Sequence, residues 1–152
     1  MSILSDSKGS GANSGPALSI DLLAGVARHA AEQFRRRVKG LGLTGAQARI
    51  LYHLGRADRP TQAWLADQLA INPVSVGEQI DKLAAAGFIC RAPNLEDKRS
   101  VLLQPTAAGR KAVVAVTAIG RQIDHEMLVC LSPGQGTMLR ECLKIVHENA
   151  GL

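Results

Sequence analysis

Residues 61–87, with the sequence TQAWLADQLAINPVSVGEQIDKLAAAG, decide the predicted fold of this chain. Apolar side chains recur at helical spacing in the first half, while Asp67 and Gln68 remain for a solvated side. Asn72 and Pro73 then supply an N-cap and a proline at the first helical position, where the missing N–H costs nothing. The stretch therefore predicts two short helices joined by a tight turn, which is a helix-turn-helix. The apolar set of its first half is Trp64, Leu65, Leu69 and Ile71.

The second of these helices has two different faces. Val76, Ile80 and Leu83 follow each other at spacings of four and three, so this face is predicted to pack inward. Gly87 is predicted to end the helix. Small and hydrogen-bonding side chains near a helix N-terminus allow a helix to enter a DNA major groove and contact base edges. Such side chains occupy the opposite face, which consists of Val74, Ser75, Gly77, Glu78 and Lys82.

A β-hairpin is predicted directly after the helix-turn-helix. Residues 88–91 and 100–104 are short strand-like runs, and the polar residues 92–99 join them. A hairpin with a charged loop in this position makes a winged helix, and its loop can place an arginine in the DNA minor groove. A hairpin without that role is the plainer alternative.

Two helices are predicted before this region. The first begins at Ser19 and ends in the basic residues 35–37, for which a solvated last turn that complements the helix dipole is favoured over a phosphate contact. Thr44 with Gln47 forms a capping box that starts the second helix.

Two longer helices are predicted after the hairpin. Thr106 caps the first, whose apolar side chains repeat by three and four over residues 113–130. Ser132 with Gln135 forms a capping box for the second. Together with the first helix of the chain, these two carry more apolar surface than a winged helix of about sixty residues can cover. They are therefore predicted to form a two-fold dimer interface in preference to packing only within the chain.

The predicted fold class is mainly α with a small β-hairpin wing: a winged helix-turn-helix with dimerisation helices from both termini. Residues 1–17 are rich in Ser, Gly and Asn without periodicity, and a segment of this composition is predicted to be a disordered tail. The other predicted regions are an N-terminal dimerisation helix at 18–42, a winged helix-turn-helix DNA-binding region at 43–105 and C-terminal dimerisation helices at 106–150.

Composition narrows the class of protein. A chain of 152 residues suits one domain with its own core. The excess of 18 Lys and Arg over 13 Asp and Glu gives a net charge of +5, which suits a polyanionic partner without proving one. No apolar run approaches the roughly 18 residues of a membrane span, and the N-terminus lacks a signal-peptide pattern. A cytoplasmic protein without a membrane partner is expected.

Little in the sequence favours catalysis or a cofactor. There is no glycine-rich phosphate loop, nucleophile elbow or convincing carboxylate or His/Cys constellation, so neither an enzyme activity nor a cofactor is expected. Isolated His/Glu neighbours on the helices do not predict a metal site. Cys90, Cys130 and Cys142 have neither zinc-ligand spacing nor the density of a disulfide scaffold, and they are predicted to be small core residues.

Three segments together resemble the MarR family of bacterial multiple-antibiotic-resistance-type regulators. They are LGLTGAQARILYHL at 41–54, TQAWLADQLAINPVSVGEQIDKLAAAGFICR at 61–91, and DKR at 97–99 followed by LLQPTAAGRKAV at 102–113. The resemblance covers about residues 18–146 and implies a winged-helix homodimer with interlocked first, fifth and sixth helices. It also implies binding to pseudopalindromic promoter DNA, usually as a repressor that a small ligand or oxidation releases.

Position by position, the resemblance implies which residues contact DNA. Val74, Ser75 and Glu78 match the recognition-helix positions that face the major groove. Asp97 and Arg99 match the D-x-R of the wing, with the arginine in the minor groove and the aspartate orienting it. Phosphate contacts complete the set. The predicted DNA-binding residues are Val74, Ser75, Glu78, Lys82, Arg91, Asp97, Lys98 and Arg99.

Thr106 and Gly109 match the T-x-x-G with which the fifth helix of the family starts, but three other positions depart from the family pattern. Glu78 stands where an arginine is frequent, so a guanine contact is replaced by a carboxylate that can accept from a cytosine amino group. Gln79 occupies a usually apolar position, and Pro105 replaces a leucine at a strand end, where proline is tolerated. These departures bear on the operator sequence and the affinity more than on the fold.

The sequence and the resemblance together predict a bacterial homodimeric transcription regulator that binds double-stranded DNA. A repressor is favoured, because the family usually represses, although the residues themselves do not distinguish a repressor from an activator. A small aromatic or phenolic effector is the expectation at the level of the family, although the sequence identifies no ligand-binding residue. Two alternatives stay open. One is a redox-sensing regulator that uses a cysteine, and the other is a winged helix used only for protein–protein contact.

Overall fold

Six α-helices and one β-hairpin make up the part of the chain that the computed structural model describes, residues 17–151. Nearly all of the predicted disordered tail, residues 1–16, lies outside the described residues, as does residue 152. The mainly α fold with a small hairpin confirms the predicted fold class. The elements are α1 (Ser19–Val38), a 3-10 turn (Lys39–Leu41), α2 (Gly45–Leu54), α3 (Gln62–Leu69), α4 (Pro73–Ala85), β1 (Ile89–Pro93), β2 (Val101–Pro105), α5 (Ala107–Leu128) and α6 (Pro133–Asn149).

Local signals define where the helices begin. Every described helix except α1 starts at a Ser, Thr or Asn whose side-chain oxygen accepts a hydrogen bond from a backbone N–H of the first turn. Such a cap satisfies one of the free donors of the helix end and stabilises it by about 1 kcal/mol. The predicted caps are confirmed at Thr44, Asn72, Thr106 and Ser132, and Thr61 caps α3 in the same way.

The hydrophobic core lies between α2, α3, α4, the hairpin and the middle of α5. Its fully buried side chains include Leu51 of α2, Leu65 of α3 and Ile80 of α4. The inward face predicted for α4 is confirmed, because Val76 and Leu83 are each only 1% exposed and Ile80 is fully buried. This packing leaves the opposite face of α4 in solvent.

The hairpin is displaced slightly from its predicted bounds. β1 starts after Phe88, because the Phe88 N–H donates to the Leu83 carbonyl, 2.9 Å away, and belongs to the end of α4. The strand then continues to Pro93, which pairs with Val101. Both strands end at a proline, where the missing N–H leaves no ladder hydrogen bond unmade.

The long helix α5 packs against α1 and α2 of the same chain. Its Val116 is fully buried and Ile123 is only 6% exposed. Arg37 of α1 pairs with Glu126 of α5 at 2.5 Å, and this hydrogen-bonded guanidinium lowers the pKa of the Glu126 carboxyl. Part of the apolar stripe predicted to face a second copy is therefore covered within the chain.

Other apolar side chains remain uncovered. The first half of α1 exposes Leu22 and Val26, and the second half of α6 exposes Ile145 and Val146. In α6 only Gly136 is buried. The apolar side chains of α6 therefore lie outside the hydrophobic core formed by the described residues.

The prediction that the cysteines are small core residues is wrong. Cys90, Cys130 and Cys142 are all exposed in the single chain. Cys90 lies in β1, where its side chain is on the solvent side, and Cys130 lies beyond the end of α5 at Leu128. Helical spacing placed Cys130 on an apolar stripe, but the helix stops before reaching it.

Gly109 provides a test of the packing between α5 and the hairpin. A Cβ at this position would lie 1.9 Å from the Phe88 carbonyl oxygen, so Gly109→Ala should lower the free energy of unfolding by at least about 2 kcal/mol. Gly134→Ala is the matched control, since it lies in the first turn of α6 with nothing within 4 Å. Urea unfolding of both variants would reveal this difference, and equal stabilities would contradict the close approach.

Candidate nucleic-acid interface

The outer face of α4 is the most open part of the helix-turn-helix. Val74 is 70% exposed, and Ser75, Glu78 and Lys82 are exposed as well. The helix begins at Asn72, whose side-chain oxygen accepts from the Val74 N–H at 2.8 Å. The four predicted DNA-binding side chains of α4 thus lie together on one accessible helical face. Gln79 lies beside them and is half-buried. This burial agrees with the usually apolar residue at the matching position of the family pattern.

A hydrogen bond between the two helices sets the geometry of the turn. The Gln62 side-chain Nε2, at the start of α3, donates to the Pro73 carbonyl at the start of α4, 3.1 Å away. Gly77 leaves the space for this contact, because a Cβ there would lie 2.8 Å from Nε2. Ala70 completes the turn in the left-handed region, with φ of 51°.

The end of α4 leads directly into the wing. Gly87 has φ of +77°, and its N–H donates to the Ala84 carbonyl while the Phe88 N–H donates to the Leu83 carbonyl. This pair of hydrogen bonds is a Schellman motif, which satisfies the free carbonyls and reverses the chain. The recognition helix and the first wing strand are consequently joined without a flexible linker.

The wing loop, residues 94–100, is organised by its own polar side chains. Asn94 Oδ1 accepts from the Glu96 N–H at 3.1 Å, and Asn94 Nδ2 donates to Ser100 Oγ at 2.8 Å. Asp97 Oδ1 accepts from the backbone N–H of Arg99 at 3.0 Å. The predicted link between Asp97 and Arg99 therefore acts through the backbone. The side chains of Lys98 and Arg99 are exposed.

Arg91 is held in an ion pair. Its guanidinium lies 2.5 Å from Asp81 of α4, and both side chains are largely solvent-exposed. Exposed pairs of this kind contribute at most about 1 kcal/mol to stability, but this pair links the wing strand to the recognition helix. Arg91 thus has a carboxylate partner that the sequence did not reveal.

Sequence reasoning missed Arg59. This residue lies in the loop between α2 and α3, yet its guanidinium contacts Glu96 and donates to Asn94 Oδ1 at 2.8 Å in the wing loop. Residues 59 and 94 are far apart in the sequence, and no local motif connects them. The pairing of Pro60 and Thr61 with the second wing strand brings the two loops together.

An exposed helix after a tight turn, followed by a charged hairpin tied to it, defines a winged helix-turn-helix protein. Residues 41–100 match a family model described as MarR family. The chain is also 33% identical over 99 residues to the uncharacterized HTH-type transcriptional regulator YdcH of Bacillus subtilis, a match that spans 64% of this chain and 66% of that relative. The chain belongs to the MarR family of winged-helix regulators.

Solved structures share this fold. Apo MarR from E. coli matches with a TM-score of 0.74 at 23% identity, over 87% of this chain and 98% of that one. A MarR family transcriptional regulator from Listeria monocytogenes, solved in complex with 26mer DNA, matches with a TM-score of 0.80 at 23% identity, over 88% of this chain and 89% of that one. No helix among the described residues is long and apolar enough to cross a membrane.

The contact between Gln62 and Gly77 yields a stability prediction. In the wild-type background, Gly77→Ala should change stability little, because the gain in helix propensity is offset by a lost hydrogen bond of about 1 kcal/mol. In the Gln62→Ala background, the same substitution should stabilise by about 0.5–1 kcal/mol. A double-mutant cycle by urea unfolding measures this coupling, and identical effects in the two backgrounds would argue against the contact.

Proposed function

We propose that this protein is a transcriptional repressor that binds a pseudopalindromic promoter operator in double-stranded DNA as a homodimer. The observation that carries the proposal is the solvent-exposed outer face of α4 beside an ordered, charged wing. The DNA bound to the Listeria relative of the same fold supports it. Because its proposed target is chromosomal DNA, the protein is proposed to act in the bacterial cytoplasm. It is also proposed to have no enzymatic activity.

In this proposal α4 enters the major groove. Val74 supplies an apolar surface for a thymine methyl group, and Ser75 can donate or accept at a base edge. Glu78 accepts from the amino group of a cytosine, and Lys82 contacts backbone phosphate. An operator half-site with thymine and cytosine at neighbouring positions fits this face best.

The wing makes the second set of contacts. Arg99 is proposed to enter the minor groove, with Asp97 holding its backbone, while Lys98 contacts phosphate. Arg91 can contact phosphate through guanidinium N–H groups that Asp81 leaves unused, because a guanidinium has five donors. The DNA-binding region is accordingly residues 43–105.

The dimer is proposed to form through residues 18–42 and 106–150. The exposed apolar side chains of α1 and α6 support this interface, because burial against a second copy would remove them from water. A two-fold dimer would present its two α4 helices to half-sites about 10 bp apart.

The release signal is proposed to be a small aromatic or phenolic effector. Oxidation is the second candidate, and the exposure of Cys90, Cys130 and Cys142 favours it more than their sequence context did. A winged helix that contacts only other proteins is a separate candidate, which the exposed acidic residues Glu78 and Asp81 on α4 favour. It predicts no salt-dependent affinity for DNA.

Arg99→Ala tests the wing. Losing a minor-groove arginine should weaken specific binding by about 1–3 kcal/mol while the dimer stays intact. Fluorescence anisotropy against the DNA upstream of this protein's own gene, at two salt concentrations, measures the loss. Arg121→Ala, which removes an exposed arginine from α5, should bind nearly as well as wild type. Equal binding by wild type and Arg99→Ala would refute the role of the wing.

The dimer needs a variant that leaves the chain's own core intact. Ile123→Asp is unsuitable, because Ile123 is already buried within the chain and a charge there would unfold it. Val26→Asp places the charge on an exposed position of α1 and should shift the protein to monomers in light scattering. Leu95→Asp, at an exposed position of the wing loop outside the proposed interface, should remain dimeric. A dimeric Val26→Asp protein would exclude this face of α1 from the interface.

A further inference from the structure

We propose that Arg59 is a positioning residue for the wing: it holds the wing loop in the place from which Arg99 reaches DNA. The inference rests on the proposed DNA binding and adds to it a residue outside the recognition helix and the wing. Arg59 precedes Pro60 in the loop between α2 and α3, a part of the fold without a predicted role in recognition.

Arg59 holds two sites in the wing loop at once. One arm of its guanidinium, Nη1, pairs with the Glu96 carboxylate, and the other arm, Nη2, donates to Asn94 Oδ1 at 2.8 Å. A planar guanidinium can make both contacts in a fixed geometry, which a lysine ammonium cannot. This two-point contact of Arg59 with Glu96 and Asn94, the Arg59 fork, therefore restrains the orientation of the loop as well as its distance from the rest of the protein.

The backbone beside Arg59 is itself anchored. The Pro60 carbonyl accepts from the Leu103 N–H at 2.9 Å, and Thr61 forms an isolated β-bridge with Leu102. Pro60 is buried. Arg59 therefore projects from a short segment that is paired with the second wing strand.

The wing loop has little else to fix its position. Leu95 is 88% exposed, and residues 95–99 are all exposed, so no hydrophobic contact within the described residues 17–151 anchors the tip of the loop. The hydrogen bonds of Asn94 with Glu96 and Ser100, and that of Asp97 with Arg99, stay within the loop. Within the described part of the chain, the charged contact between the wing loop, residues 94–100, and the rest of the protein is the one made by Arg59.

A continuous chain of hydrogen bonds joins Arg59 to Arg99. Asn94 accepts from Arg59 and donates through Nδ2 to Ser100 Oγ. Ser100 Oγ in turn donates to the Asp97 carbonyl at 3.2 Å, and the Asp97 carboxylate accepts from the Arg99 N–H. A change at Arg59 can thus reach the backbone of Arg99 without any direct contact between the two arginines.

Direct phosphate binding is the competing role for Arg59, and its surroundings argue against it. Both terminal nitrogens of the Arg59 guanidinium already have partners in the wing loop, whereas only Nη2 of Arg91 is paired, and the Glu96 carboxylate offsets the positive charge of Arg59. We therefore expect Arg59 to affect DNA affinity through the wing.

The first experiment compares variants by anisotropy titration against the operator DNA. Arg59→Ala should bind about tenfold more weakly than wild type, which corresponds to about 1.4 kcal/mol. Arg56→Ala is the matched control, because it removes the same charge from the same loop. The Arg56 side chain lies over the Tyr52 ring. The binding of Arg56→Ala should change less than about twofold. Equal losses in the two variants would show a general charge effect and overturn the proposal.

Two further variants separate positioning from charge. In the Arg99→Ala background, Arg59→Ala should have a much smaller effect, because only the Lys98 phosphate contact of the loop then still depends on its position. A full tenfold loss in that background would identify a direct contact and overturn the proposal. Arg59→Lys keeps the charge without the fork, so its affinity should resemble that of Arg59→Ala, and wild-type affinity would also overturn it.

Hydrogen exchange tests the contact between Arg59 and the wing loop independently of DNA binding. If the wild-type protein bound no DNA, the proposed function would fail, but the wing contact would still be testable. Amides of residues 94–100 should then exchange faster in Arg59→Ala than in wild type or Arg56→Ala, with the core amides unchanged. Unchanged exchange in the loop would overturn the positioning role by itself.

Discussion

The structure depends on one close approach, between the first turn of α5 and the start of the hairpin. Thr106 Oγ1 donates to the Gly87 carbonyl at 2.6 Å and accepts from the Gly109 N–H at 3.0 Å, while the Thr106 N–H donates to the Phe88 carbonyl. Gly109 lies so close to Phe88 that no side chain fits between them. The end of the recognition helix, both wing strands and the long helix meet at this point, so the orientation of each depends on the others.

This junction explains why the T-x-x-G motif carries structural information. The threonine caps α5 and also ties it to the turn after α4, while the glycine permits the contact. A rigid connection between the wing and α5 also means that a shift of the long helix would move the wing and α4 together.

The proposed DNA-binding surface is not uniformly basic. Glu78, Asp81, Glu96 and Asp97 lie on or beside it, and two of these carboxylates pair with Arg91 and Arg59. The paired arginines connect elements of the surface, whereas Lys98 and Arg99 remain exposed at the wing. Acidic groups near DNA weaken nonspecific attraction to phosphate, so affinity relies more on correctly positioned base and groove contacts. The proposed DNA complex therefore depends on accurate placement of the wing.

The sequence by itself determined the helices, their caps and the buried face of α4, because these depend on side chains within a few residues of each other. It also indicated the wing and the exposed residues Val74, Ser75, Glu78 and Arg99, through local patterns and the resemblance to a family. Tertiary structure decided what no local pattern contains: the burial of Ile123 within the chain, the exposure of the cysteines, and the pairing of Arg91 and Arg59 with carboxylates on other elements. These features arise from contacts between residues that are distant in sequence, and only the packing of helices and strands brings such residues together.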